Sequence, residues 1–167
     1  SHDVIKAADP TALVLNAGAL EIVGMNGLPI DKTVTFWQSF FALGGAGYVD
    51  VFNVHYNRER YGISDTLDVY EQHLTFFRDL LDENSHTDTP MWLTEFGTYV
   101  GSPAPQQAPG QSSPAIGTGK TQTAAVQASW TRRAVEMGVS YGVERFFFDL
   151  QGGDDSAIGA SAFFDQR

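Results

Sequence analysis

The chain has 167 residues, 43% of them hydrophobic and 13% aromatic, which is enough for one domain with a sizeable core. Lys+Arg 10 against Asp+Glu 20 gives a formal net charge of −10 and a pI near 4.6, a surface that repels phosphate backbones and rules against nucleic acid as a partner. With no cysteine there is neither a disulfide nor a thiolate metal site, and no apolar run approaches the roughly 20 residues of a membrane span, so no membrane partner is expected.

The compartment stays open, since secreted and cytoplasmic bacterial proteins both fit. Ser1-His2 reads as the remnant of a cleaved purification tag. That would make Asp3 the first native residue and the chain a fragment.

The first strand expected in chain order is Leu13 to Gly18, announced by Asp9-Pro10. A helix follows over Thr33–Leu43, with Phe36, Trp37, Phe40 and Phe41 as a core stripe and Gly44-Gly45 as its stop. Val49–Tyr56 is the second strand. Ser64 or Asp65 can cap the next helix, in which Leu67, Tyr70, Leu74, Phe77 and Leu81 repeat at three and four residues. Met91-Trp92-Leu93-Thr94-Glu95-Phe96-Gly97 is an apolar run that Pro90 separates from any helix, and it reads as a buried third strand. A third helix spans about Thr121–Met137, with Val126, Trp130 and Val135 on one side and Gly138 as its end. Glu144–Leu150 is the fourth strand.

Each strand is mostly apolar rather than alternating, as in a parallel sheet covered on both faces. The alternation of strand and helix implies a parallel sheet or barrel, and a single domain over 1–167. Links from strand to helix are long. The longest, within 98–120, is rich in Pro, Gly, Ser and Gln and reads as a mobile loop on the active face.

Such a fold gathers its chemistry at the carboxyl ends of the strands. Those ends bring Asn16, His55, Tyr56, Asn57, Glu95, Asp149 and Gln151 to one face, with Trp92, Phe96, Tyr99 and Phe146–Phe148 nearby. Carboxylate, imidazole and amide groups among aromatic rings suit a carbohydrate, which offers hydroxyls to the former and C–H faces to the latter. His55 reads equally as a satisfied core histidine, and Asn16 and Asp149 also fit strand-end groups that hold loops. His73 and His86 have no partners at ligand spacing, so neither a metal nor a cofactor is expected. Gly117-Thr118-Gly119-Lys120-Thr121 imitates the end of a phosphate-binding loop, but Pro114 stands where that loop needs its first glycine.

Pro90-Met91-Trp92-Leu93-Thr94-Glu95-Phe96-Gly97 resembles the seventh strand of clan A glycoside hydrolases, retaining enzymes built on a (β/α)8 barrel. Ile5–Pro10 with Val14-Leu15 resembles the fourth helix leading into strand five, Asp50–Tyr56 resembles strand six, and Gly142–Asp149 resembles strand eight. The resemblance implies an α/β fold of parallel βα units forming about half of a TIM barrel, strands five to eight. It also implies Glu95 as catalytic nucleophile. His55, Tyr56, Asn57, Asn16, Phe148, Asp149 and Gln151 would then bind an oligo- or polysaccharide substrate.

Two departures touch substrate identity: Asn57 replaces a tyrosine two places after the histidine, and a phenylalanine replaces the tryptophan of strand eight. The acid/base glutamate, which follows an asparagine at the end of strand four, has no counterpart in this chain; Glu21 and Glu59 lie in loops. The isolated chain is therefore expected to be weak or inactive, and to self-associate or pair with a missing half. An alternative is a non-catalytic carbohydrate-binding or assembly half-barrel, and a third is another α/β barrel hydrolase or lyase using Glu95 as a base.

Overall fold

Residues 2–19, 22–23, 29–58, 66–98 and 123–148 are described by the structure, a computed structural model. The apolar run after Pro90 forms β2, Met91–Gly97, the middle strand of a three-stranded sheet. β1, Phe52–Asn57, and β3, Val143–Phe148, flank it, both parallel to it. Parallel neighbours cannot be joined by a hairpin, so each connection carries a helix: α3, Asp68–Glu83, before β2, and α4, Ala124–Ser140, before β3. Ahead of β1 lie α1, His2–Ala8, α2, Asp31–Ala42, and a 3₁₀ turn over Gly45–Tyr48.

The strand expected over Leu13–Gly18 is not formed as a strand. The segment meets β1 only through isolated parallel bridges, Leu15 to Val51 and Ala19 to Val54. Asn16 supplies the reason. Its Oδ1 accepts the Asn53 N–H at 2.7 Å and its Nδ2 donates to the Asn53 carbonyl at 3.0 Å, so a side chain occupies main-chain groups that a regular ladder would pair.

One face of the sheet is packed under helices. Phe52, Val54 and Tyr56 of β1 and Met91, Leu93 and Phe96 of β2 are buried there against Trp37 and Phe41 of α2, Tyr70, Leu74, Phe77 and Leu81 of α3, and Trp130 of α4. Rings dominate the contact: Trp37 meets Phe52 at 5.4 Å and Phe77 at 5.6 Å, and Phe96 stacks on Trp130 at 5.7 Å. Each fully buried large side chain contributes about 1.5–3 kcal/mol. The expected α2 stripe is narrower than read: Phe36 is 59% exposed, because the sheet contacts only the arc holding Trp37 and Phe41. Val126 likewise lies outward on α4.

The α4 boundaries also differ from expectation. Thr123 caps the start, its hydroxyl accepting from the Val126 N–H at 3.2 Å. Gly138 does not end the helix, which continues to Ser140 and stops before Gly142 at φ +83°. Gly138 serves packing instead: a Cβ there would lie 2.6 Å from the Phe146 ring and 2.7 Å from the Tyr70 hydroxyl.

Candidate active site

The opposite face is polar along the β1–β2 seam. Alternation places Asn53, His55 and Asn57 of β1 on that side, away from the helix-packed Phe52, Val54 and Tyr56. On β2 the register slips. Val54 pairs with Leu93, but His55 pairs with Glu95, so Thr94 is an extra residue. The pairing of β2 with β3 slips at the same place, between Leu93 and Phe96. In a regular strand Thr94 and Glu95 would point to opposite faces; a bulge frees both to reach one imidazole. His55 Nε2 lies 2.9 Å from Thr94 Oγ1, and its Nδ1 lies 3.3 Å from Glu95 Oε2.

A polar chain continues from Thr94 back to the first segment. The Thr94 hydroxyl donates to Asn53 Oδ1 at 2.6 Å, and Asn53 Nδ2 donates to the Asn16 carbonyl at 3.2 Å. Asn16 closes the link through both main-chain groups of Asn53. Gly18 forms the floor beneath His55, since a Cβ at that position would overlap the imidazole ring. Asn53 is 8% exposed, whereas the Glu95 side chain is 45% exposed. The carboxylate thus faces outward from a buried support.

The structure brings Glu95 and His55 together and ties Asn16 to them through Asn53 and Thr94. Asn57 stands at the end of β1, paired with Gly97, on the face that holds His55. Tyr56 lies on the other side, its ring 4.7 Å from Tyr70 and 5.7 Å from His73, 3% exposed. Phe148 packs on Phe96 at 5.4 Å, among the core residues. Asp149 and Gln151 lie outside the described residues, as do Ser64, Asp65 and the 98–120 loop beyond Thr98.

Sequence reasoning passed over Asn53, Thr94 and Gly18 as parts of the site. The spacing of Asn53, His55 and Asn57 at every second position was a signal for the first. No sequence period marks a bulge, so Thr94 carried none.

Beyond Thr94, the open face turns aromatic. The Arg145 guanidinium lies 4.6 Å over the Trp92 ring, and Trp92 meets Phe147 at 5.8 Å, with Phe147 43% exposed. Behind the sheet, His73 of α3 is fully buried. Burial pushes its imidazole down to about 4, against the Ala19 and His55 carbonyls, which act in the opposite direction. Among the described residues no group of three His, Cys, Asp or Glu side chains could hold a metal ion, and no helix is long and apolar enough to cross a membrane.

The fold and site define an α/β parallel-sheet protein with a carboxylate at the carboxyl end of its central strand, beside an imidazole from the neighbouring strand. No protein-family model matches the sequence, and no curated protein matches it. Among solved structures, the chain is similar to a glucosidase from Croceicoccus marinus, with 16% identity and a TM-score of 0.56, over 98% of this chain and 30% of the glucosidase. It is also similar to the hyperthermostable endo-1,4-beta-D-mannanase from Thermotoga petrophila RKU-1, with 17% identity over 98% of this chain and 43% of the mannanase. The TM-score of that second likeness, 0.42, is too low for it to carry weight. The likeness to the glucosidase is one of fold, and the chain spans less than half the length of either protein.

Proposed function

We propose that this chain is the strand-five-to-eight portion of a retaining glycoside hydrolase barrel, with Glu95 as its nucleophile. One observation carries the reading: a bulge at the carboxyl end of the central strand turns a half-exposed carboxylate outward beside an imidazole. A Glu95 oxygen attacks the anomeric carbon as the bond to the leaving oxygen breaks, and the bond's electron pair goes to that oxygen with a proton from an acid. Water then attacks the anomeric carbon, giving its proton to the conjugate base of that acid, and the breaking ester bond returns its electron pair to the Glu95 carboxylate. His55 holds Oε2 through Nδ1, which leaves Oε1 to attack.

The reaction needs a second carboxyl about 5–5.5 Å from the first. The clan's acid/base glutamate matches no residue here, so we assign the proton donor to polypeptide outside this sequence, a missing half that closes the barrel. A compact monomer by sedimentation counts against that pairing.

An activated glycoside tests the nucleophile separately from the missing acid, because a dinitrophenyl group departs without protonation. Dinitrophenyl glycosides fluorinated beside the anomeric carbon, in several sugar configurations, are expected to add one glycosyl mass to the peptide bearing Glu95, and none in Glu95→Gln. Absence of labelling in the full-length gene product overturns the reading.

A second reading rests on the aromatic side of the face. Phe147, exposed and tilted against the Trp92 ring, offers aromatic surface on which a sugar can stack without any turnover. A carbohydrate-binding half-barrel predicts saccharide binding that survives Glu95→Gln with no trapped intermediate in either form.

A further inference from the structure

The polar chain behind Glu95 has a single consistent direction of hydrogen bonding. The Asn53 backbone N–H can only donate, which fixes Asn16 Oδ1 as the acceptor. The Asn16 carbonyl can only accept, which fixes the Asn53 amide with Nδ2 toward Asn16 and Oδ1 toward Thr94. Oδ1 has no proton, so the Thr94 hydroxyl spends its own on Asn53. Only lone pairs remain on Thr94 Oγ1 to meet His55 Nε2 at 2.9 Å. Nε2 therefore carries hydrogen. In a neutral imidazole that leaves Nδ1 bare, facing a carboxylate oxygen at 3.3 Å. Two lone pairs at that distance repel, and the contact is attractive only with a proton between Nδ1 and Oε2.

We propose that Thr94 is a positioning residue that acts through His55: with Asn53 and Asn16 it locks the imidazole in its Nε2–H form, so that the His55–Glu95 contact holds only while one proton is shared between them. Asn16 and Asn53 anchor the lock to main-chain groups, and Gly18 lets the ring lie flat against the first segment. The glutamate is thereby wired to the backbone through donors and acceptors that cannot exchange roles. Among the described residues, Glu95 on β2 faces the ring, His73 of α3 lies behind the sheet against the His55 carbonyl, and Arg145 on β3 lies over Trp92. The catalytic meaning of the lock rests on the nucleophile reading; the lock itself does not.

Long-range nitrogen–proton NMR correlations of the imidazole read the tautomer directly, on the chain alone and without substrate. In the native protein, above the titration of His55, the spectrum is expected to show Nε2–H with a bare Nδ1. Thr94→Val keeps the shape and removes the acceptor, so the neutral ring is expected to turn to the Nδ1–H form, which can donate to Glu95. Its titration midpoint then falls by about one pH unit, since the neutral form no longer opposes the carboxylate. Thr94→Ser restores both native signatures, which a packing defect would not. An Nδ1–H tautomer in the native chain, or an unchanged tautomer and midpoint in Thr94→Val, overturns the proposal. If Thr94→Val does not fold, Thr94→Ala carries the same two outcomes. Failure here leaves fluoroglycoside labelling of Glu95 unaffected, and failure of labelling leaves the tautomer result standing.

Discussion

The two faces of the sheet are made from the same three strands and are held by different physics. Under the helices, the rings of Phe52, Tyr56, Phe96 and Trp130 pack against one another and their neighbours by shape. On the open face, Asn16, Asn53, Thr94 and His55 form a line in which every donor is assigned by its neighbour. Packing of the first kind tolerates exchanges of similar volume, whereas in the second the loss of a single hydroxyl leaves its neighbours' donors and acceptors unassigned. The difference shows why stability and chemistry can be altered separately in this chain.

The largest separation is expected from Glu95→Gln. If the carboxylate is the nucleophile, turnover by the complete enzyme falls by about 10⁴-fold or more. Stability should stay within about 0.5 kcal/mol, because the side chain is half exposed and a glutamine amide can donate to Nδ1. A denaturant curve and a rate assay on the same preparation check both halves. A large stability loss would place Glu95 in the structural support rather than on it.

Trp130→Ala is the converse experiment. Trp130 is 1% exposed, stacked on Phe96 and lying 5.1 Å from the Arg58 guanidinium carbon. Its truncation is expected to cost about 3–5 kcal/mol in urea unfolding while leaving the His55 tautomer unchanged. A changed tautomer would mean that the two faces are not independent.

His73 joins the comparison from behind, since it is buried among rings yet titrates. In the unfolded chain its imidazole has the ordinary value near 6.5, and in the fold it is held at about 4. Between those values the unfolded chain binds a proton that the folded chain refuses, so stability falls as the pH drops from about 6.5 to about 4. The total is about 3 kcal/mol, fully present above 6.5. Asp9 and Asp50 are also held below the usual carboxylate value, Asp9 chiefly by the Thr11 hydroxyl and Asp50 chiefly by the Lys6 ammonium; their contributions drain at lower pH. His73→Phe is expected to flatten the profile between pH 6.5 and 4, and an unchanged slope would assign acid lability elsewhere.

The packed face was largely legible in the sequence. Helix α3 follows its three-and-four spacing, and Pro90 with the run after it marks β2 to the residue. Phe36 and Gly138 departed because both depend on what lies opposite: among the described residues no element covers the outer arc of α2, and Phe146 crowds α4. On the open face Glu95 and His55 were legible as residue types at strand ends. Tyr56 was misplaced beside them, although alternation alone denies adjacent residues of a regular strand a common face. The bulge at Thr94 is fixed by pairing with both neighbouring strands, so no local pattern announces it.

The smallest expected effect is also the finest test of the two-face picture. Asn16→Ala leaves the Asn53 N–H without its side-chain acceptor, while the Asn53 carbonyl keeps the Ala19 N–H at 3.0 Å. One unpaired, largely buried donor costs about 1–3 kcal/mol. Because Asn16 and Thr94 both bond Asn53, a double-mutant cycle of Asn16→Ala with Thr94→Val is expected to show coupling of at least about 0.5 kcal/mol: once one has loosened the amide, the other has less to lose. Asn16 and Trp130 share no partner among the described contacts, so Asn16→Ala and Trp130→Ala should add within about 0.3–0.5 kcal/mol. Coupling in the second cycle as large as in the first would mean that donor directions and ring packing are one system, and that the support of Glu95 extends through the sheet into α4.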